Sequence, residues 1–280
     1  MQLPLIQWEP EEGADPTPAP NLHNYDFIAI SSSGGKDSQA MLYHVVRLAD
    51  ACNYPRQRIH VLHADLGRIE WPGARELAEE QARLCGLDFR AMARPQGDLL
   101  AQVRQRRRWP SSSCRYCTSD HKRTQIDKLL VALGREYGAP QRHVHILHAT
   151  GLRAEESPAR SKRPILAHRP SSCSYRTVLD WLPIHAWTKA QVWQTIHKSG
   201  LPWHYAYDLG MPRLSCVFCI FAPRPALLLA GRHNPELLQE YINVEREIEH
   251  TFTTKHTMQD IALALSTDQQ PICQIDDWAM

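Results

Sequence analysis

No run of apolar residues in this chain is long enough to span a bilayer as a helix, which sets aside a membrane-embedded reading. Charge of one sign is also missing. Against 30 acidic residues stand 32 Lys and Arg, and a net +2 does not by itself imply a polyanion as partner. The first residues, MQLPLIQWEPEEGADPTPAPN, have no basic start, apolar core or small-residue cleavage site, so a secretory leader is not expected and a cytoplasmic location is. A Walker A loop and a G-x-G-x-x-G turn are both absent. There is no internal repeat.

What is there is long enough to fold unaided. A chain of 280 residues buries roughly 75% of its unfolded surface, so neither disulfide nor metal is needed merely to hold a core. The eight cysteines of an intracellular chain are therefore more often ligands or nucleophiles than cross-links. Four form two C-x-x-C pairs, where chance alone would give about 0.2 such pairs. The pairs are a feature to explain. Cys52 and Cys85 fall on helix faces and are expected to be small core residues.

Pro4, Pro10, Pro16, Pro18 and Pro20 with Glu9, Glu11 and Glu12 predict a solvated arm over residues 1–23. Residues 26–31 (DFIAIS), 59–63, 89–92, 143–149 and 179–184 predict strands. Between them, residues 39–52, 75–85, 123–137, 188–199 and 235–250 show helical spacing. Thr188 is a plausible N-cap, and Gly86 and Gly200 are placed as stops. Ile126, Leu129, Leu130 and Leu133 should face inward. Strands alternating with helices predict an α/β fold, a doubly wound parallel sheet whose ligands bind beyond the carboxyl ends of the strands. A domain over residues 24–225 and a helical, partly irregular C-terminal part over 226–280 complete the expected organisation.

Between the first strand and first helix stands Ser33-Gly34-Gly35-Lys36-Asp37-Ser38, preceded by Ser31 and Ser32. Two glycines let the backbone bring its amides close to an anion, and the helix N-terminus adds its dipole. Lys36 supplies charge, the serines supply hydroxyls, and Asp37 is a candidate partner for Mg²⁺. The hexapeptide resembles the pyrophosphate loop of the N-type ATP pyrophosphatases. That resemblance implies an adenine nucleotide alpha hydrolase-like fold, ATP as ligand and cleavage between its α- and β-phosphates.

The likeness extends over residues 24–225 and narrows to the phosphoadenosine phosphosulfate (PAPS) reductase family. His63-Ala64-Asp65-Leu66-Gly67 resembles the family's H-x-D-T-G segment beside the nucleotide, with Leu66 in place of Thr. Gly151-Leu152-Arg153-Ala154-Glu155-Glu156-Ser157 resembles G-x-R-x-x-[EQ]-S. The Trp181–Trp193 region and Tyr207-Asp208-Leu209-Gly210 before Cys216-x-x-Cys219 follow in family order. Arg153, in a loop after a strand, is a candidate for an α-phosphate or substrate anion, with Glu156 holding it or a ribose hydroxyl. Trp181, Trp187, Trp193 and Trp203 read as core more than as stacking platforms.

Cys114, Cys117, Cys216 and Cys219 would close one four-coordinate site, and spacing alone does not separate Zn²⁺ from an iron–sulfur cluster. Similarity to cluster-bearing sulfonucleotide reductases, and to the ATP-pyrophosphatase component of DNA phosphorothioation systems, implies a 4Fe–4S cluster, with Zn²⁺ as the alternative. Cys173, between Arg169 and Arg176, is a candidate persulfide carrier.

The reductases attack their sulfonucleotide with a cysteine in a C-terminal E-C-G-[LI]-H segment. This chain ends QPICQIDDWAM, with Cys273 the only thiol there. The expected activity is therefore ATP cleavage to AMP and pyrophosphate, activating an acceptor by adenylation for sulfur transfer. The alternative is a PAPS or adenylyl-sulfate reductase using Cys273. Expected partners are ATP, a cysteine desulfurase or other sulfur donor, nucleic acid as acceptor, and a possible second copy of the chain. Arg104, Arg106, Arg107 and Arg108, with Arg115, Lys122 and Arg123, would steer a polyanion or form a solvated face.

Overall fold

A strand with no solvated face must be covered on both sides, and the first strand is of that kind. In the computed structural model, which describes residues 19–267 and Ile275, β1 (Phe27–Ser31) is fully buried over its first four residues. It is joined by β2 (Ile59–Asp65), β3 (Asp88–Ala93), β4 (Val144–Ala149), β5 (Leu166–His168) and β6 (Arg176–Trp181). Their order is β3-β2-β1-β4-β6-β5, parallel throughout except for β5 against β6. The chain adds β2 and β3 on one side of β1 and then crosses to β4 on the other. The carboxyl ends of β1 and β4 thus flank the switch point, where such sheets bind ligands.

The helices are α1 (Lys36–Ala51), α2 (Ala74–Leu84), α3 (Leu99–Arg106), the short α4 (Tyr116–Thr118), α5 (Thr124–Glu136), the short α6 (Pro158–Ser161), α7 (Lys189–Ser199), α8 (Arg224–His233), α9 (Pro235–Ile248) and α10 (Met258–Thr267). On one sheet face Met41, Leu42 and Val45 of α1 pack on Ile28, Ile30 and Leu147. On the other, Ile126, Leu129, Leu130 and Leu133 of α5 pack on Phe27, Leu62, Ile146 and Val178. A third core joins α3, α8, α9 and α10 around Trp109, which stacks on Tyr241 at 5.1 Å. Among the described residues no helix is long and apolar enough to cross a membrane.

The predicted caps are present. Thr188 and Gln191 bond each other's backbone N–H groups, and Gly86 and Gly200 end α2 and α7 at φ +70° and +64°. Other expectations shift. The last strand lies at Arg176–Trp181, not 179–184, because its ladder to β4 begins at Arg176 and Pro183 has no N–H to continue it. At the end of the expected arm, Leu22 is buried in a 3-10 turn (Leu22–Asn24), while residues 1–18 lie outside the described residues. Cys85 is buried as expected, but Cys52 is exposed, since α1 ends at Ala51 and the chain turns outward there.

One half-buried base on α1 is expected to make stability pH-dependent. His44 lies against Trp187 at 4.9 Å, and burial holds its pKa down to about 4. Unfolded, it takes up a proton near pH 6.5 that the native state refuses until about pH 4, so stability is lost as pH falls through that window. The expected loss is at most about 3 kcal/mol between pH 7 and pH 4. Urea unfolding of wild type and His44→Gln at both pH values checks it. An equal acid loss in the variant would refute the assignment.

Candidate nucleotide site

Three glycines show where backbones crowd around the β1–α1 loop. At Gly34, φ is +70° and a Cβ would stand 2.5 Å from the Ala74 carbonyl oxygen, so glycine is required on two grounds. A Cβ on Gly151, just past β4, would lie 2.9 Å from the Asp37 carbonyl oxygen. Gly35, the N-cap of α1, has the Tyr207 hydroxyl and Leu214 Cβ each 3.4 Å from its Cβ position.

The loop amides point at hydroxyl groups. Ser33 N–H donates to Ser38 Oγ (3.2 Å), Gly34 N–H to Ser32 Oγ (3.3 Å) and Lys36 N–H to the Tyr207 hydroxyl (2.7 Å). Neutral oxygens hold these donors where an anionic oxygen would make the stronger, charge-assisted bond. Lys36 is 2% exposed, and its Nζ donates to the Pro212 carbonyl (3.0 Å) and lies 3.3 Å from Asp37 Oδ2. A buried ammonium therefore sits beside the loop.

Arg153 and Asp37, expected to meet phosphate and Mg²⁺, meet each other. Arg153 Nε donates to Asp37 Oδ1 (2.6 Å), and its Nη1 to Glu155 Oε2 (2.5 Å) and the Trp187 carbonyl (3.3 Å). Glu156 accepts the Arg153 N–H (3.0 Å) and pairs with Arg160 and Arg213. Together they clasp α1 to the segment after β4. His63 has acceptors on both sides, Ser32 O at 2.9 Å and Glu70 Oε2 at 3.1 Å, so both ring nitrogens must donate. Burial is the largest single influence and opposes that charge, but the bond to Glu70, its charge, the Ser32 carbonyl and Asp65 together raise the pKa. Asp65 accepts from Gly67 N–H (2.8 Å) and Arg75 (3.1 Å), and Leu66 is buried. These residues shape the loop's flank. Beside them a cleft of about 720 Å³, lined by Asp65, Arg68, Trp71, Ala74 and Arg75 and by Glu240 of α9, is large enough for a nucleotide.

The cysteines divide. Cys216 and Cys219 follow the segment that covers the loop, and Cys216 bridges Glu70 while Val217 N–H bonds Ile69 O. Burial pushes the Cys216 thiol up to about 12, with Lys122, Cys219 and Cys117 as its electrostatic neighbours. Cys219 is raised by burial too. Cys117 packs against the same core, whereas Cys114 is exposed. Among the described residues no three His, Cys, Asp or Glu side chains are gathered closely enough to hold a metal ion. The donors nonetheless fit a thiophilic metal in kind: Cys117 and Cys219 are electrostatic neighbours of Cys216, and Cys117 precedes a π-helical stretch, Ser119–Arg123, an element often found at functional sites.

Cys173 is not brought to this site. It is exposed and bridges Arg176 at the amino end of β6, about 17 Å of strand away from the carboxyl edge. The basic stretch is largely committed within the chain. Arg104 pairs with Glu247 (2.7 Å), Arg106 lies over the Tyr116 ring (4.7 Å), and Arg115 over that of Phe221 (5.0 Å). Trp181 is buried and Trp187 and Trp193 half-buried, but Trp203 is 38% exposed. Cys273 lies outside the described residues.

Three participants were given no role from the sequence, Tyr207 being named there only within its family-like segment. Tyr207 accepts from Lys36 N–H and from Leu214 N–H (3.3 Å), joining the loop to the Cys216 segment. His148 and Asp180 lie behind Ser31. The available signal was a polar residue near the carboxyl end of an otherwise apolar strand.

The fold and this loop define a doubly wound α/β protein with a glycine-rich turn at its switch point. A family model of the phosphoadenosine phosphosulfate reductase domain matches residues 27–222, and the chain belongs to that family, whose members include enzymes. It is 26% identical over 144 residues to a protein of Escherichia phage 186 named only as an uncharacterised 37.8 kDa protein, covering 50% of this chain and 40% of that one. It is 31% identical over 70 residues to the adenosine 5′-phosphosulfate reductase of Lysinibacillus sphaericus, covering 25% and 28%. The chain spans less than half the length of the curated relatives it matches. Similar solved structures include PAPS reductase from Candida auris (14% identity, TM-score 0.46, 70% of this chain and 84% of that one). The U34-tRNA thiolase NcsA from Methanococcus maripaludis, with its [4Fe-4S] cluster, is another (11%, TM-score 0.44, 90% and 78%).

Proposed function

We propose that this chain cleaves ATP to AMP and pyrophosphate at the Ser33–Ser38 loop, activating an acceptor by adenylation for sulfur transfer. The buried Lys36 ammonium beside three loop amides carries the reading. Charge accumulates on pyrophosphate as it leaves, and donors aimed there in advance stabilise it most. Asp37 offers Mg²⁺ no free oxygen in this arrangement, so Mg²⁺ would arrive on the nucleotide phosphates. Cys117, Cys216 and Cys219, with Cys114 from the surface loop, would hold a 4Fe–4S cluster, which would supply an iron to bind or polarise sulfur. Nucleic acid, as in DNA phosphorothioation, is the acceptor class we favour.

Anaerobic purification followed by iron and sulfide assay, with product analysis on labelled ATP, tests the whole. AMP and pyrophosphate are expected, with iron and sulfide in equal amounts. Cys216→Ser is expected to lose most of the iron while ATP binding changes less than about threefold. ADP as product would sink the ATP reading, and stoichiometric zinc without sulfide would sink the cluster. The alternative, a sulfonucleotide reductase, draws on the family itself and requires sulfite release from PAPS or adenylyl sulfate that Cys273→Ser abolishes.

A further inference from the structure

Ser31 ends β1 at the carboxyl edge, two residues before Ser33 of the loop, and is partly exposed. Behind it runs a chain of polar contacts that the ATP reading does not use. Its Oγ lies 2.8 Å from Nε2 of His148, and Nδ1 of His148 lies 2.6 Å from Asp180 Oδ1. Arg169 Nη1 donates to the same Asp180 oxygen (2.9 Å) and lies 3.3 Å from His148 Nδ1, while its Nε donates to Asp127 Oδ1 (2.7 Å). These are the charged groups facing the imidazole, which is 2% exposed.

The order of these contacts has a chemical sense. A carboxylate at 2.6 Å fixes the proton on Nδ1, so Nε2 presents its lone pair to the Ser31 hydroxyl. Burial holds His148 below its ordinary pKa, which keeps it neutral and able to accept, with the bond to Asp180 opposing. Asp180 is held low despite burial because His148 and Arg169 bond it, so it is charged and ready to stabilise an imidazolium. Hydroxyl, base and orienter within hydrogen-bond reach are the parts of an activated nucleophile. Below them, Ala29 and Ile146 fill the same sheet face with apolar groups, so packing alone does not call for this chain. Its open end is a hydroxyl beside the nucleotide loop.

We propose that Ser31 is a nucleophile of this site, activated by His148 and oriented through Asp180, and that it carries the adenylyl group transiently. The proposal rests on the reading of the loop as an ATP α-phosphate site. Ser31 Oγ bonds to the α-phosphorus, the bond from that phosphorus to the bridging oxygen breaks, and its electron pair leaves with pyrophosphate. The Oγ proton passes to His148 Nε2. An acceptor oxygen or sulfur then displaces Oγ from phosphorus, the proton returns from His148 to Oγ, and the acceptor's own proton goes to solvent.

Because the first half needs no acceptor, ATP alone is the probe. Rapid-quench mixing of the full chain with ATP is expected to release a burst of pyrophosphate matching the enzyme concentration. Peptide mass spectrometry should then place AMP on Ser31. Ser31→Ala abolishes the adduct, and His148→Gln slows the burst by about 10²–10⁴-fold. Asp180→Asn, which keeps the side-chain size, also slows it, with a cooperative melting transition retained in each variant and binding of α,β-methylene-ATP changed far less than the burst rate. A full burst in Ser31→Ala, or steady AMP formation with no AMP on Ser31, overturns the proposal and leaves the ATP reading standing. Where ATP yields no AMP, that reading fails instead, and a fluorophosphonate probe tests the serine by itself. Labelling of Ser31 that His148→Gln removes upholds an activated hydroxyl, and no labelling refutes it.

Discussion

Lys36→Met is expected to slow pyrophosphate release from ATP by about 10²–10³-fold, the usual effect of removing one pre-aimed donor. Methionine keeps an unbranched stem of similar reach, so the buried channel past Tyr207 stays filled. The loss then reports charge. Lys36 Nζ is held by the Pro212 carbonyl and Asp37, and Asp37 keeps Arg153 as partner in the variant. The fold should survive with a small change in melting temperature. Ground-state ATP affinity should fall less than the rate, because the ammonium serves the leaving group most as its bond breaks. Pyrophosphate release within threefold of wild type would show that Lys36 only props the Pro212 segment.

Much of this arrangement was legible in sequence because it rests on local rules. Short apolar runs marked β1 to β4, and β6 three residues late, while β5 was missed, and the 3.6-residue spacing of Ile126, Leu129, Leu130 and Leu133 marked the helix over the second face. A glycine pair between strand and helix gave the loop, and Gly34 is the position a side chain could not occupy. What was not legible depends on pairings between distant segments. Arg153 reads as a phosphate ligand until Asp37, 116 positions earlier, is found against it. Cys173 reads as reactive until the sheet places it at the strands' amino edge. The helix α3 was missed because its eight residues carry two arginines and two glutamines, and its burial comes from Leu99, Leu100 and Val103 meeting α9.

Tyr207 shows why the loop and the cysteines belong to one argument. One hydroxyl accepts both Lys36 N–H and Leu214 N–H, and Leu214 is two residues before Cys216. An anion that takes over the first donor leaves the Tyr207 hydroxyl with the Leu214 N–H alone. The loop and the segment leading to Cys216 therefore meet at one hydroxyl group.

The same logic makes Arg153 a test of clasp against ligand. Arg153→Ala is expected to cost about 3 kcal/mol of stability, the low end for opening a buried pair because Glu155 is half exposed. For a chain of this size that corresponds to a fall in melting temperature of roughly 5 °C. Asp37→Asn alone should cost less, since the amide still accepts from Arg153 Nε and lies beside Lys36. The double variant should cost clearly less than the sum of the two, because either change already opens the same contact. A phosphate-binding Arg153 gives the opposite pattern: an unchanged melting temperature, additive stabilities and an ATP affinity at least tenfold weaker. Thermal unfolding of the four proteins, beside ATP titration of each, decides between them. The geometry favours the clasp, since a guanidinium already paired with two carboxylates and a carbonyl gains little by turning to a phosphate.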